Sequence, residues 1–263
     1  MIDQKITIIG GGNLGGAVAF GLIKSKQIQP SALTISDRYV NVLKKFQEQG
    51  ATVTDNNVEA VRNANIIILA VKPYQAQEII DEIKPALNPN QILISSVAGL
   101  GLQKLEEATG GSEVKVFRIM PNTAIAIQES MTLISTNVKS EETRNLVVHI
   151  FNQLGKASII SEDLMAAATV LGSCGIAFAL RYMRAAMQGG IEMGFSAEVA
   201  QFITAQTVKG AAELILESGR HPEQEIDKVT TPRGITITGL NEMEHQGFSS
   251  SLIQGLIASF NKC

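Results

Sequence analysis

The sequence predicts an α/β chain, a doubly wound sheet followed by an all-helical C-terminal domain, and three observations predict it. A short apolar strand, with Ile6, Ile8 and Ile9, runs straight into the turn Gly10-Gly11-Gly12-Asn13-Leu14-Gly15 and then into a helix with one apolar face. Strand and helix patterns alternate from there to about residue 160, the grammar of a parallel sheet covered on both faces. After Glu162 the strand signals stop and nearly everything left reads as helix. The boundary is therefore placed between residues 160 and 161.

The opening turn fits G-x-G-x-x-G at the point where a helix begins, the pattern of a Rossmann-like dinucleotide site. Gly10 serves the tight turn, Gly12 lets the backbone approach a pyrophosphate, and Gly15 lets the helix pack on the strand. The N-terminus of that helix points its free N–H groups at the phosphates.

The second strand, 32–36, ends at Asp37-Arg38. Asp37 lies 22 residues after Gly15, where an NAD-type site places an acid on the ribose hydroxyls. Arg38 suits a 2′-phosphate or the adenine, and Ser36 can donate to the same phosphate, so NADPH and NADH both remain open. A bland alternative has Asp37 cap a helix over 39–49 with Arg38 solvated. A short strand at 51–53 and a short helix from Asn56 to Arg62 come next. The strand after them, 65–71, is apolar enough to be buried on both faces and stops at Lys72-Pro73. Ligands of open α/β sheets bind at the carboxyl ends of strands, which puts Ala70, Val71, Lys72 and Pro73 on the cofactor. A helix over 75–87 and a strand over 91–95 lead to Ser96-Val97-Ala98-Gly99, a small-residue loop suited to lie against a nicotinamide. Strands at 114–118, 131–135 and 157–160, with a helix over 141–154, complete the sheet.

In the helical domain, the segment from Ile176 to Met193 carries charge only at Arg181, Arg184 and Glu192, with Phe178, Leu180, Tyr182, Met183 and Met187 around most of its circumference. Such a helix must be buried on nearly all sides. A domain of about 100 residues has too little core to do that alone, which predicts an obligate dimer with interleaved helices.

Composition narrows the function classes. With 45% hydrophobic and 18% charged residues the chain reads as globular, and a net charge of −3 gives no footprint for nucleic acid or an anionic membrane. The first residues, Met1 to Gln4, lead directly into a strand, so no leader peptide is expected. The uncharged run 164–180 is 17 residues long and interrupted by polar positions, too short to span a bilayer. Two distant cysteines, Cys174 and Cys263, make neither a disulfide framework nor a metal site, and a cytoplasmic location is expected.

Taken together, GGGNLGG, AVKP at 70–73, RIMPNTA at 118–124, EDLMAAATVLGSCGIAF at 162–178 and VTTPRGITITGL at 229–240 resemble the pyrroline-5-carboxylate reductases over the whole chain, in order and spacing. The resemblance implies a dinucleotide-binding domain over 1–160 and a helical dimerisation and substrate domain over 161–263. It implies reduction of 1-pyrroline-5-carboxylate to L-proline with NADPH or NADH, in a homodimer or higher homo-oligomer. It places Gly10 to Gly15, Ser36, Asn57 and Ala70 to Pro73 on the cofactor. Thr231, Pro232, Arg233, Gly234, Ile235 and Thr236 are placed on the substrate, with a Gly172 to Ala177 turn, including Gly175 and Ile176, beside it. Two departures touch that pocket. Ser173-Cys174-Gly175-Ile176-Ala177 stands where the family has Gly-Ser-Gly-Pro-Ala, and Pro232-Arg233-Gly234 where it has Pro-Gly-Gly.

A protonated cyclic imine already accepts hydride, so the side chains have mainly to orient. Backbone N–H groups of residues 233–236 are expected to hold the substrate carboxylate, and Thr236, the catalytic residue, to hydrogen-bond the ring nitrogen; the bland alternative has Thr236 cap its own helix. His149, His221 and His245 lack companions at useful spacing and read as structural, as does the Glu162-Asp163 pair at a helix head. The rival readings are another imine or 3-hydroxyacid reductase of the same architecture, though Lys209 lacks the surroundings of a catalytic lysine, and a non-catalytic dinucleotide sensor.

Overall fold

The computed structural model describes residues 1–110 and 114–263. They divide into two compact units, 1–174 with Cys263, and 175–262.

The first unit holds a sheet in the order β3-β2-β1-β4-β5-β6-β7-β8. Its elements are β1 (Ile6–Ile9), α1 (Asn13–Ser25), β2 (Leu33–Ser36), α2 (Lys44–Gln47), β3 (Thr52–Thr54), α3 (Asn57–Arg62), β4 (Ile66–Leu69), α4 (Pro73–Ile83), β5 (Ile92–Ser95), α5 (Leu102–Ala108), β6 (Lys115–Met120), β7 (Ser130–Thr136), α6 (Glu141–Asn152), β8 (Gly155–Ile159) and α7 (Met165–Ala168). The helix expected over 39–49 is a 3-10 turn at Val40–Leu43 followed by the single turn of α2.

Side chains explain both faces of the sheet. Ile66 and Ile68 of β4 pack with Val18 and Leu22 of α1 and Phe151 of α6, while Ile67 and Leu69 pack with Ile80 of α4 and Leu105 of α5. A strand buried on both faces is apolar at every position, which is why β4 shows no alternation. Pro73 sits in the first turn of α4, where its missing N–H is not needed, and Asn56 Oδ1 caps α3 by accepting from Glu59 N at 2.9 Å.

Two expectations are corrected. The sheet is parallel from β3 through β6, but β7 runs antiparallel to β6, and β8 runs parallel to β7. A ladder of alternating side chains reads the same in both directions, so the reversal leaves no periodic signal. The first compact unit runs on to Cys174, because α7 packs on β7 with Met165 buried, and the segment after α7 packs on β6 and β7. Finally, residues 169–174 form a π-helical segment running directly into the next helix, so there is no turn at Gly172 to Ala177.

The second unit comprises α8 (Gly175–Glu192), α9 (Ala197–Ser218), α10 (Pro222–Lys228), α11 (Ile235–His245) and α12 (Phe248–Phe260). Helices α8 and α9 meet where Gly190 faces Ala200, and Tyr182 of α8 meets Phe248 of α12 edge-on, ring centroids 6.4 Å apart. Within a single chain, Leu180, Phe202, Leu216, Ile253 and Ile257 are nonetheless exposed. The uncharged run of 17 residues belongs to a helical stretch, Glu162–Glu192, of 31 residues that contains an 18-residue window with a mean hydropathy of 1.7, long and apolar enough by length and composition to cross a membrane. The same property belongs to a helix at the core of a dimer.

Candidate functional site

The glycine turn is built by close backbone approach. Gly10 has φ +99°, and a Cβ there would lie 2.5 Å from the carbonyl oxygen of Ala70, at the end of β4. A Cβ on Gly15 would overlap the carbonyl oxygen of Gly10, so α1 can start this close to β1 only without one. Around Gly12, by contrast, a Cβ would meet nothing within 4 Å. No side chain caps α1, so its first-turn N–H groups open on that space. An uncapped helix start behind an open glycine is the cradle a pyrophosphate needs, and the residues present fit a nicotinamide dinucleotide.

The cradle opens into a cleft of about 820 Å³. Gly11, Gly12, Asn13 and Leu14 form one wall, and Ser96 after β5, Met120 to Thr123 at the end of β6 and just beyond it, and Ser173 of the π-helical segment form the other. Lys45 stands at the cleft with its Nζ 5.1 Å from the Phe20 ring centroid and 5.0 Å from that of Phe46.

The remaining residues expected on the cofactor sit at the carboxyl ends of β2, β4 and β5 or next to them. Asp37 is committed to backbone: one carboxylate oxygen accepts from Gly11 N at 2.9 Å and the other from Tyr39 N at 3.0 Å. It therefore ties the end of β2 to the glycine turn. The Arg38 guanidinium lies 6.0 Å from the Tyr39 ring centroid. Ser36 is fully buried and donates to Asn57 Oδ1 at 2.7 Å, while Asn57 donates to Glu82 at 2.9 Å, so these two expected contacts hold each other. Ala70 is bonded through its N–H to Ile9 at 2.8 Å, Val71 flanks Gly10, and Lys72 with Pro73 leads exposed into α4. In the loop after β5, Ala98 and Gly99 are exposed, while Val97 is 2% exposed with its side chain packed in the core, which leaves it only its backbone to offer a ligand.

Sequence reasoning missed the far wall. Met120 to Thr123 obey the same strand-end rule that picked out Ala70 to Pro73, applied to β6, and that signal was there to be read. It also missed the Arg118–Glu162 pair, 2.6 Å apart. Glu162 Oε1 also accepts from Leu102 N at 3.1 Å, and Oε2 accepts from the Ser135 hydroxyl. Partial burial works to raise the Glu162 pKa, but the bonds from Ser135, Leu102 and Arg118 together outweigh it and hold the carboxyl below its usual range. The depressed native pKa means the carboxylate stabilises the fold at neutral pH, and that contribution is lost as pH falls through the native value. Glu162→Gln is expected to lower stability at pH 7 by about 1 kcal/mol, allowing for solvent screening, and to cost progressively less below the ordinary glutamate range. Denaturant melts of both proteins at pH 7 and pH 4 check this; an equal difference at both would refute it.

In the second unit, Gly234 N donates to the Thr231 carbonyl at 2.9 Å, closing a turn through Pro232 and Arg233. Arg233 has φ +61°. Proline followed by a left-handed residue is what a type II turn requires, and glycine takes the second place without strain. The arginine here is therefore strained, which accounts for the glycine in the family pattern. A Cβ on Gly234 would lie 2.5 Å from Thr231 Oγ1 and 3.0 Å from the Thr231 carbonyl oxygen, so a side chain there would force the turn to shift. Gly234 begins α11 with no side-chain cap. Ile235 is exposed; Thr236 is half-buried in the first turn, and its hydroxyl has no hydrogen-bond partner among the described residues. Thr236 therefore does not cap its own helix. The bonded Gly234 N–H also narrows the expected carboxylate donors to Arg233, Ile235 and Thr236. Gly175 and Ile176 open α8. His221 Nδ1 caps α10 by accepting from Glu223 N at 3.3 Å, and His149 and His245 lie on α6 and α11.

Comparison with known proteins agrees with both units. The family described as pyrroline-5-carboxylate reductase dimerisation matches residues 162–263, and that described as NADP oxidoreductase coenzyme F420-dependent matches residues 5–99. The chain is 42% identical to pyrroline-5-carboxylate reductase 1 of Dictyostelium discoideum, covering 100% of this chain and 50% of that one, so it spans half the length of that relative. It is 37% identical to pyrroline-5-carboxylate reductase 2 of the same organism, over 99% and 92% of the two chains. Among solved structures, a pyrroline-5-carboxylate reductase from Coxiella burnetii superposes with a TM-score of 0.92 at 28% identity, over 98% and 97% of the chains. The Plasmodium falciparum pyrroline carboxylate reductase with NADP bound gives 0.86 at 30%, over 100% and 97%.

Proposed function

The chain belongs to the pyrroline-5-carboxylate reductase family, and on that premise we propose that it reduces 1-pyrroline-5-carboxylate to L-proline with NADPH. The observation that carries the reading is the uncapped start of α11, with the unpartnered Thr236 hydroxyl in its first turn.

When bound, the reduced nicotinamide supplies the hydride. The glycine cradle holds its pyrophosphate, and Arg38 meets the 2′-phosphate. Asp37, with both oxygens committed to backbone, is poorly placed to accept from ribose hydroxyls, which favours NADPH over NADH. The N–H groups of Arg233, Ile235 and Thr236 hold the substrate carboxylate at a helix N-terminus. The Thr236 hydroxyl hydrogen-bonds the ring nitrogen, steering the protonated imine and stabilising the product amine. No strong general base is required, because the imine is activated by its own proton.

Residues 1–160 act as the dinucleotide domain and 161–263 as the dimerisation and substrate domain, and the working form is a homodimer or a higher assembly of such dimers. The exposed apolar side chains of the helical unit support this. A cytoplasmic location belongs to the same reading, on the two-cysteine composition.

The test mixes the purified protein with the cyclic imine and NADPH, or NADH, and monitors loss of reduced cofactor. Imine-dependent oxidation with a higher kcat/KM for NADPH is expected. Tight cofactor binding without turnover on the imine would refute the activity. Thr236→Ala is expected to lower kcat/KM for the imine at least about tenfold while NADPH binding is retained, and a loss under about threefold would remove Thr236 from the chemistry.

A further inference from the structure

Asn122 is a carboxamide only 6% exposed, with every heavy polar atom in use. Its N–H donates to Ser130 Oγ at 3.1 Å, its Oδ1 accepts from Ala124 N at 3.0 Å, and its Nδ2 donates to the carbonyl oxygen of Gly172 at 3.0 Å. The last bond spans fifty residues of sequence and ends inside the π-helical segment Thr169–Cys174. A π turn carries one residue more than an α turn, and α geometry over the same residues would rotate the start of α8 by about 100°. Such segments form where a carbonyl can find a donor outside the helix, and Asn122 is that donor.

The residue after Gly172 is Ser173, which lines the cleft. It is half-buried, and its hydroxyl has no hydrogen-bond partner among the described residues. Its neighbours on that wall, Ser96 and Met120 to Asn122, lie at the carboxyl ends of β5 and β6. These strands lie on the far side of β1 from β2, and a dinucleotide crossing the switch point between β1 and β4 puts its adenosine half over β2 and its reacting half over them. We propose that Asn122 is a positioning residue that braces the Gly172 carbonyl, so that Ser173 presents its hydroxyl to the reacting end of the cleft and donates there to an oxygen acceptor of the bound molecule. The acceptor is either the nicotinamide carboxamide or the carboxylate of the cyclic acid, and the inference rests on reading the cleft as the dinucleotide site. Nothing in the sequence marks this pair, because Asn122 and Gly172 meet only in the folded chain.

The test uses Ser173→Ala, Asn122→Ser and the double variant in the full chain. Serine at 122 keeps an oxygen to cap Ala124 but is too short to reach Gly172; Asn122→Asp, which keeps the shape and loses the donor, replaces it if it does not fold. Three quantities are read: the imine KM and kcat, the NADPH Kd from cofactor fluorescence, and amide exchange over 169–174. For Ser173→Ala, a rise of about fivefold or more in imine KM with unchanged Kd assigns the acceptor to the substrate carboxylate, and the same rise in Kd assigns it to the carboxamide. The double variant is expected to be no worse than the worse single one, because Asn122 acts through Ser173. Exchange over 169–174 should speed up about tenfold in Asn122→Ser and stay unchanged in Ser173→Ala. Unchanged KM and Kd in Ser173→Ala, independent effects that multiply in the double variant, or unchanged exchange in Asn122→Ser would each overturn the proposal. Failure of the unsubstituted protein to turn over the imine counts against the activity alone, and Kd with exchange still decide the positioning.

Discussion

Gly15→Ala is expected to lower stability by about 3 kcal/mol and weaken NADPH binding at least about a hundredfold. Position 15 is inside α1, and alanine in place of a helical glycine ordinarily stabilises by about 1 kcal/mol. The sign reverses here because the new methyl would overlap the carbonyl oxygen of Gly10. That oxygen is backbone in a turn itself pressed against Ala70, and it cannot rotate away as a flexible side chain could. The start of α1 must move off β1, carrying its first-turn N–H groups, the proposed phosphate donors, with it. A thermal melt should show a fall of about 6–12 °C for a domain of this size. Gly12→Ala is the matched control, since its methyl meets no protein atom. It should melt within about 2 °C of the unsubstituted protein yet lose NADPH affinity, because on the proposed reading the methyl fills the space of the pyrophosphate. An unchanged melt for Gly15→Ala would mean that α1 is not seated as described.

Phe202→Glu is expected to raise the dissociation constant of the dimer by about a thousandfold or more. Phe202 is 72% exposed on α9 of a single chain, in a unit where Leu180, Leu216 and Ile253 are exposed too. Burying such a ring against a second copy contributes roughly 1.5–3 kcal/mol, and two-fold symmetry counts every substitution twice. Glutamate removes that gain and adds the cost of desolvating two carboxylates in an apolar interface. Sedimentation velocity across a concentration series measures it. A monomeric unsubstituted protein at micromolar concentration would refute the dimer, and a variant that dimerises normally would move the interface away from α9.

The parts of the fold that could be read from the chain were those set by local chemistry. The apolar run at 66–69 announces burial on two faces, and the glycines of the first turn announce a helix packed against a strand, because in each the cause lies within a few residues of the effect. The direction of β7 was hidden, since alternation carries no polarity. Residues 169–174 were misjudged because glycine is ordinarily a breaker, whereas Gly172 sits within a helix and its carbonyl is satisfied by a residue far away in sequence. In the site, Gly10 to Leu14 were legible as a motif. Val97 was not, because a small-residue loop does not say which of its members turns inward. Glu162 was taken as a structural acid at a helix head, and its partners Arg118, Ser135 and Leu102 come from three other elements. Arg233 was visible as a departure from the family pattern, but the left-handed backbone that makes it a strained one was visible only in the fold.

The reversal at β7 decides where the chain goes after the sheet. Had β8 run with β6, it would have released the chain at the cleft edge, and the helices after it would have led away from that edge. Instead β8 heads away from the cleft and the chain must climb back. Glu162 is pinned beside Arg118 and Gly172 beside Asn122. Those two landmarks are four residues apart along β6 and its exit, about 13 Å in extended chain. The ten helical steps between Glu162 and Gly172 rise about 15 Å. The segment is thus a spacer cut to length, anchored at both ends, and a single inserted or deleted residue within it would break one anchor or the other.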